Sequence, residues 1–316
     1  MNAKPEMIGE DLSLIDLYDL SLELRTGSYV LHEEELTIIE TSASPSLPYL
    51  ISGLEKLQID LEEVRNIIVT HIHLDHAGGT GLFLEKCPNA RVFVHPKGIR
   101  HLENPSRLIE GAKAVYGNKF QELFEPIIPI QEDRLIAMND MDTMRIGPNR
   151  MLTFMDTPGH AKHHFSIYDS KTNGVFVGDT MGVYYPQLDV ELYLPSTSPN
   201  QFDPDAMLAS AEKIMAYEPD AIYFGHYGRT SNRDEVMAQL KGWLSDFLRI
   251  TNDLMQKKEA PITELLSKAL LAHVASKLSI KGVPSDHPIY DYIKVDLQVC
   301  ALGLIDYLKR KSVRTT

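Results

Sequence analysis

The chain has 316 residues, 43% of them hydrophobic, enough to bury the core of one large domain with or without a small appendage. Its formal net charge of -13 repels phosphate polymers and argues against a nucleic-acid partner. No stretch reaches the ~18–20 apolar residues of a membrane span, and the acidic N-terminus lacks the apolar core of a signal peptide, so a cytoplasmic protein with a small-molecule partner and no membrane partner is expected.

In chain order, "SYVL" and "LTIIE" read as paired strands with polar "HEE" at the turn. "SLPYLISGLEKLQI" carries apolar residues at helical spacing, with Pro45 and Ser46 near its start. "RNIIVT" is a short buried strand that runs directly into "HIHLDHAGG", and "RVFVHP" is another strand. A helical pattern covers roughly Ser106 to Leu123. "RMLTFMDTPGH" is a strand entering a Pro-Gly turn, and "HHFSIYDSKTNGVFVGDT" is a hairpin turning at Asn173-Gly174. "DPDAMLASAEKIMAYEP" is a helix capped by Asp203, and "AIYFGH" is a last strand. Beyond about Ser231 strand signals stop. Three amphipathic helices follow, separated at Pro261 and around Gly282 to Pro284. The expected division is a main domain over 1–230 and a helical extension over 231–316 packed on it.

His71, His73, Asp75 and His76 fall within six positions after a strand. Residues two apart on extended chain share a face, so His71 and His73 can address one point. The turn through Gly78 and Gly79 lets Asp75 and His76 address a second. His160, Asp179 and His226 each close a predicted strand, and strand ends of an α/β sheet collect on one rim. Seven imidazole and carboxylate ligands suffice for two metal ions, zinc first, with iron or manganese as alternatives. His32, His95, His101, His273 and His287 read as surface or hydrogen-bonded histidines. Cys87 and Cys300 form no CxxC pair and read as reduced thiols. HExxH, GxSxG and GxxxxGK[ST] signatures are missing from the sequence.

At "THIHLDHAGG" and the His, Asp and His downstream, the sequence resembles the metallo-β-lactamase superfamily over roughly Ser28 to Gly228. The resemblance implies an αβ/βα four-layer sandwich, with the helical C-terminal extension added to it. It implies one metal on His71, His73 and His160, a second on Asp75, His76 and His226, and Asp179 bridging them. It further implies a hydrolase in which two divalent ions share a water and ionise it near neutral pH. Asp75 would accept the nucleophile's proton and return it to the leaving group, and Asp179 would fix the inter-metal spacing. Many members carry "IDTG" where this chain has "IETSAS", so Glu40 either supports a ligand histidine with a longer arm or simply ends the strand. His164, four residues after ligand His160, is expected to hydrogen-bond structurally rather than to bind metal.

Substrate groups are less defined. Tyr184 and Tyr185 follow Asp179 closely and could offer a phenol to an oxyanion or leaving group, with aromatic packing as the competing reading. Lys162 could hold an anionic group, although a solvated lysine is the simpler reading. "YLPSTSPNQF" should line or flank the cleft, and Asp291, Asp296 and Gln298 read as a solvated helix face. The favoured substrate is a small ester, lactone or thioester. The alternatives are a phosphodiesterase or nuclease on the same metals, a persulfide dioxygenase-type iron enzyme, and, least favoured, a non-enzymatic metal scaffold. The helical tail could cover the site's mouth or form a homodimer face.

Overall fold

The computed structural model describes residues 4–257 and 261–314. Period-2 alternation of apolar side chains builds two sheets that share an interior. The first has seven strands in chain order: β1 (Glu6–Gly9), β2 (Leu12–Asp16), β3 (Gly27–Leu31), β4 (Thr37–Ile39), β5 (Asn66–Ile68), β6 (Arg91–Val94) and β7 (Leu135–Ala137). β1 to β4 pair antiparallel, and β4 to β7 pair parallel. The helices α1 (Leu47–Lys56), α2 (Leu74–Ala77), α3 (Thr80–Leu84), α4 (Ile99–Glu103), α5 (Ser106–Tyr116) and α6 (Phe120–Phe124) fall within this half.

The second sheet uses β8 (Thr143–Gly147), β9 (Arg150–Asp156), β10 (Phe165–Asp169) and β11 (Gly174–Gly178). A two-stranded ribbon, β12 (Val183–Tyr184) and β13 (Tyr193–Leu194), and helix α7 (Pro204–Met215) then lead to β14 (Ala221–Phe224) and β15 (Arg229–Thr230). The sheet order is β15-β14-β11-β10-β9-β8, with β11 and β14 parallel. Asp203 caps α7, accepting from the backbone N–H groups of Asp205 and Ala206.

Alternation decides which core each residue joins. Tyr29, Leu31, Ile39 and Ile68 face Phe154, Phe165, Ile167 and Phe176 between the sheets. Their neighbours Val30, Ile38 and Ile67 pack outward on α1 and α3. Val175, Val177, Ile222 and Phe224 pack outward on α7 and on the terminal helices α8 (Arg233–Lys257), α9 (Ile262–Ile280) and α10 (Ile289–Arg314). The result is an αβ/βα four-layer sandwich with a helical C-terminal extension whose apolar stripes join the second outer core. Among the described residues, no helix is long and apolar enough to cross a membrane.

The helical pattern over 106–123 divides into α5 and α6, because Gly117 takes a φ of +55°. β1, β2, β7 and β8 were not anticipated. They are short or carry polar residues in alternation, and only pairing with a neighbour makes them strands. One ion pair inside the sandwich is fully buried: Arg150 Nε and Nη2 donate to the two Asp169 oxygens at 3.0 and 2.6 Å. Cys87 and Cys300 are buried free thiols, each pushed up to about 12 by burial.

Candidate metal centre

Strand ends of both sheets meet along one rim. β4 delivers Glu40, β5 leads to His71 and His73, α2 carries Asp75 and His76, and β9, β11 and β14 deliver His160, Asp179 and His226. Three groups of donor atoms form there, each with its atoms within 4.8 Å of one another: His71, His73 and His160; Asp75, His76 and His226; and His71, His76 and Asp179. Asp179 lies between the first two groups. Its Oδ1 is 3.1 Å from His76 Nε2, and its Oδ2 is 3.5 Å from His160 Nε2 and 3.6 Å from His226 Nε2. Asp75 Oδ2 stands 3.8 Å from His76 Nε2 and 3.7 Å from His226 Nε2.

The residues fit divalent-metal binding. His71 Nε2 is buried without a hydrogen-bond partner among the described residues, and His76 Nε2 and Asp179 Oδ1 are buried with only each other, 3.1 Å apart, an expensive arrangement unless a cation accepts their lone pairs. Nitrogen and carboxylate donors of this kind suit zinc and, with less selectivity, iron or manganese. Burial, then His76 and His73, hold the His71 imidazole well below its ordinary value. Burial and His160 do the same for His73, and burial lowers His160 despite Asp179. These three rings are therefore neutral, the form that binds metal. At His76 burial opposes the charge, yet Asp179, Glu40 and Asp75 outweigh it and hold the ring well above its ordinary value. His226 is raised against burial by Asp179. Asp179 is held well below the usual carboxylate range, because His76, His226 and His160 surround it and overcome its burial.

A supporting layer orients the donors. Glu40 Oε2 meets His76 Nδ1 at 2.8 Å, and its Oε1 accepts from Thr70 N–H at 2.7 Å. Glu40 has a φ of +71°, a strained conformation held by these two bonds inside the rim. His160 Nδ1 donates to the Ser196 carbonyl at 3.0 Å, and Ser196 Oγ donates to Asp179 Oδ2 at 2.8 Å. His164 lies in no donor group. Its Nε2 accepts from Asp179 N–H at 3.1 Å, and its Nδ1 meets Thr157 and Thr180 hydroxyls. Gly178 has a φ of +48°, and a Cβ there would lie 2.5 Å from His164 Nε2, so glycine is needed just before Asp179.

The centre opens into a hollow of about 270 Å³ bordered by His73, Asp75, His160 and Asp179 on its floor. Ser196 to Gln201 form one side, and Val299 of α10 reaches it. A smaller space of about 50 Å³ adjoins Asp75 and His226. Tyr185 borders that space, but its hydroxyl donates to Asp296 Oδ2 at 2.7 Å. Tyr184 borders neither space and stacks on Tyr193 with centroids 5.0 Å apart. Lys162 is exposed and likewise borders neither.

Asp296 is not on a solvated face. Arg25 Nη2 donates to its Oδ1 at 2.7 Å, Arg25 Nε donates to Asp19 Oδ2 at 3.1 Å, and the guanidinium borders the small space. Asp291 and Gln298 are exposed as expected. Arg25 gave no local signal, since Asp296, which it joins to Asp19, lies some 270 residues away in sequence. His163, also unanticipated, is buried beside His73 with ring centroids 5.3 Å apart. The doubled histidine of "HAKHH" was the available signal for it.

Residues 24–226 match the family model of the Metallo-beta-lactamase superfamily. A curated relative, a metallo-beta-lactamase fold-containing protein of Sulfurisphaera tokodaii, is 27% identical over 207 residues, spanning 64% of this chain and 73% of its own. An N-acyl homoserine lactonase of Bacillus thuringiensis is 24% identical over 180 residues, 56% of this chain and 61% of its own. The crystal structure of an archaeal superfamily protein from Sulfolobus tokodaii superposes with a TM-score of 0.66 at 19% identity, covering 95% of this chain and 99% of that one. That likeness speaks to the fold.

Proposed function

The chain belongs to the metallo-β-lactamase superfamily, and from that premise we propose that it is a binuclear metal-dependent hydrolase of a small-molecule ester, lactone or thioester. The observation that carries this reading is the placement of Asp179 between two three-residue donor groups at the floor of an open hollow. The N-acyl homoserine lactonase among the relatives supports the lactone branch. Two divalent ions, zinc first, would supply an acidified water near neutral pH and draw charge from the attacked oxygen. His71, His73 and His160 would hold one ion, and Asp75, His76 and His226 the other, with Asp179 common to both.

The chain's own groups then have separate tasks. Asp75 is the more open of the two carboxylates on the floor of the hollow: its side chain is 23% exposed, against 3% for Asp179. It is placed to take the nucleophile's proton on a carboxylate oxygen and hand it to the leaving group. Asp179, fixed by Ser196 Oγ and the surrounding imidazoles, stays ionised and sets the spacing. The Ser196 to Gln201 side and Val299 of α10 border the approach to these groups.

A panel of lactones, thioesters, aryl esters, phosphodiesters, sulfates and β-lactams, run on protein of measured metal content, tests the proposal. Asp75→Ala serves as the control, expected to lose at least about 100-fold in kcat, within the usual range for removing a general acid–base. Phosphodiester rates far above all acyl substrates would move the reading to a phosphodiesterase. Oxygen uptake with glutathione persulfide would move it to an iron dioxygenase. Fewer than about two ions per chain would overturn the binuclear assignment.

A further inference from the structure

One face of α5 lines the large hollow. Leu108, Ala112 and Val115 recur at intervals of four and three, which aligns them on a helix. Gly111 lies between them, and a Cβ built there meets nothing within 4 Å. These apolar side chains are only half-buried, although they border a pocket whose floor is the metal centre. Phe124 and Ile72 continue the apolar lining. From Leu108 to Val115 the face runs ~10 Å at the rise of an α-helix.

A second observation lies beside the floor. His163 borders the same hollow, is only 5% exposed, and its Nδ1 is buried with no hydrogen-bond partner. It belongs to none of the donor groups. Its neighbour His164 is bonded at both ring nitrogens, and His95 pairs with Asp156 at 3.1 Å. Nδ1 is closed off from the hollow, so the ring nitrogen that a ligand there can reach is Nε2, which has no hydrogen-bond partner among the described residues.

We propose that this hollow is an acyl subsite: α5 holds an aliphatic arm along Leu108, Gly111, Ala112 and Val115, and His163 hydrogen-bonds an oxygen of the acyl group at the head of the arm. The inference rests on the hydrolase reading, whose substrate it narrows to medium-chain acyl compounds. His163 is a substrate-binding residue in this scheme and takes no part in holding metal. Gly111 leaves the room that a larger residue would fill.

The test is calorimetric binding of acetate, butyrate and octanoate to the full chain at its measured metal content, alongside hydrolysis of the matching p-nitrophenyl esters. Each buried methylene multiplies affinity about fourfold. Octanoate should therefore bind at least about tenfold tighter than butyrate even if half of the four extra methylenes stay wet. Gly111→Leu should remove that gain, bringing octanoate to the level of butyrate. Gly242→Leu, at an exposed glycine of α8 with the same open surroundings, is the control for helix strengthening and should change nothing. His163→Phe should weaken butyrate and octanoate alike, preserve their ratio, raise ester KM more than it lowers kcat, and leave metal content unchanged. Equal binding of butyrate and octanoate, or a Gly111→Leu variant that matches Gly242→Leu, overturns the apolar-arm assignment. Loss of metal in His163→Phe overturns the assignment of His163. A chain-length preference in calorimetry without hydrolysis of any panel substrate keeps the subsite and removes the hydrolase.

Discussion

Replacing Glu40 with glutamine separates the metal site from the fold. Glu40 accepts from Thr70 N–H at 2.7 Å through Oε1 and meets His76 Nδ1 at 2.8 Å through Oε2. In Glu40→Gln one amide atom can still accept from Thr70, but the other becomes an NH2 donor aimed at His76 Nδ1. That nitrogen must then accept, and the ring proton moves to Nε2, the atom 3.1 Å from Asp179 that would hold the ion. The expected result is about 10- to 100-fold weaker binding of one ion, the usual scale for losing a partner behind a metal ligand. The fold keeps most of its bonds, so the urea midpoint should move little. Glu40→Ala differs, because it strands both Thr70 N–H and His76 Nδ1 in a fully buried place. Each orphan costs about 1–3 kcal/mol, so about 2–6 kcal/mol is lost from a typical total of about 5–15. Chelator competition reads the affinity, and urea unfolding of the metal-free chain reads the stability. Wild-type affinity for both ions in Glu40→Gln would refute the tautomer argument.

The remaining expectations are narrower. In the metal-free chain His76 and His226 lie above their ordinary value, so an incoming ion must displace their protons. Affinity should be weak at acid pH, climb as pH rises through those raised values by up to about tenfold per unit for each proton displaced, and level off above; a flat competition profile from about pH 5.5 to 8.5 would contradict this. The same shifts mean that the stability these protonated rings give the metal-free chain is complete below their unfolded value and is lost as pH rises through the folded one. Arg150→Ala leaves Asp169 buried and unpaired, both side chains having 0% exposure, and should cost about 3–5 kcal/mol in urea unfolding without changing metal stoichiometry in the folded fraction. Gly159 has a φ of +136°, and a Cβ there would stand 2.3 Å from the Met207 backbone, so Gly159→Ala should displace His160 and lower metal content in elemental analysis.

The seven candidate ligands were legible in the sequence because each sits on a local signal. His71, His73, Asp75 and His76 share one turn, and His160, Asp179 and His226 each end an apolar strand. Strand ends of an α/β sandwich must converge, so order along the chain translated into proximity in space. The apolar alternation likewise carried the layered fold, because it assigns each strand residue to one of two faces.

Other features depended on distance in sequence. Asp296 looked like a polar residue of an amphipathic helix, and only the packing of α10 against the first sheet's loops brings it to Arg25. Tyr184 and Tyr185 are adjacent, yet strand geometry sends one to stack on Tyr193 and the other to Asp296. His163 and His164 are adjacent as well, and the turn leading into β10 gives His164 hydrogen bonds at both ring nitrogens and leaves His163 at the wall of the hollow. The sequence by itself determined which atoms could bind metal, since that follows from residue type and strand position. The tertiary structure decided what surrounds them, since walls, supports and depth come from contacts between segments that carry no mark of one another.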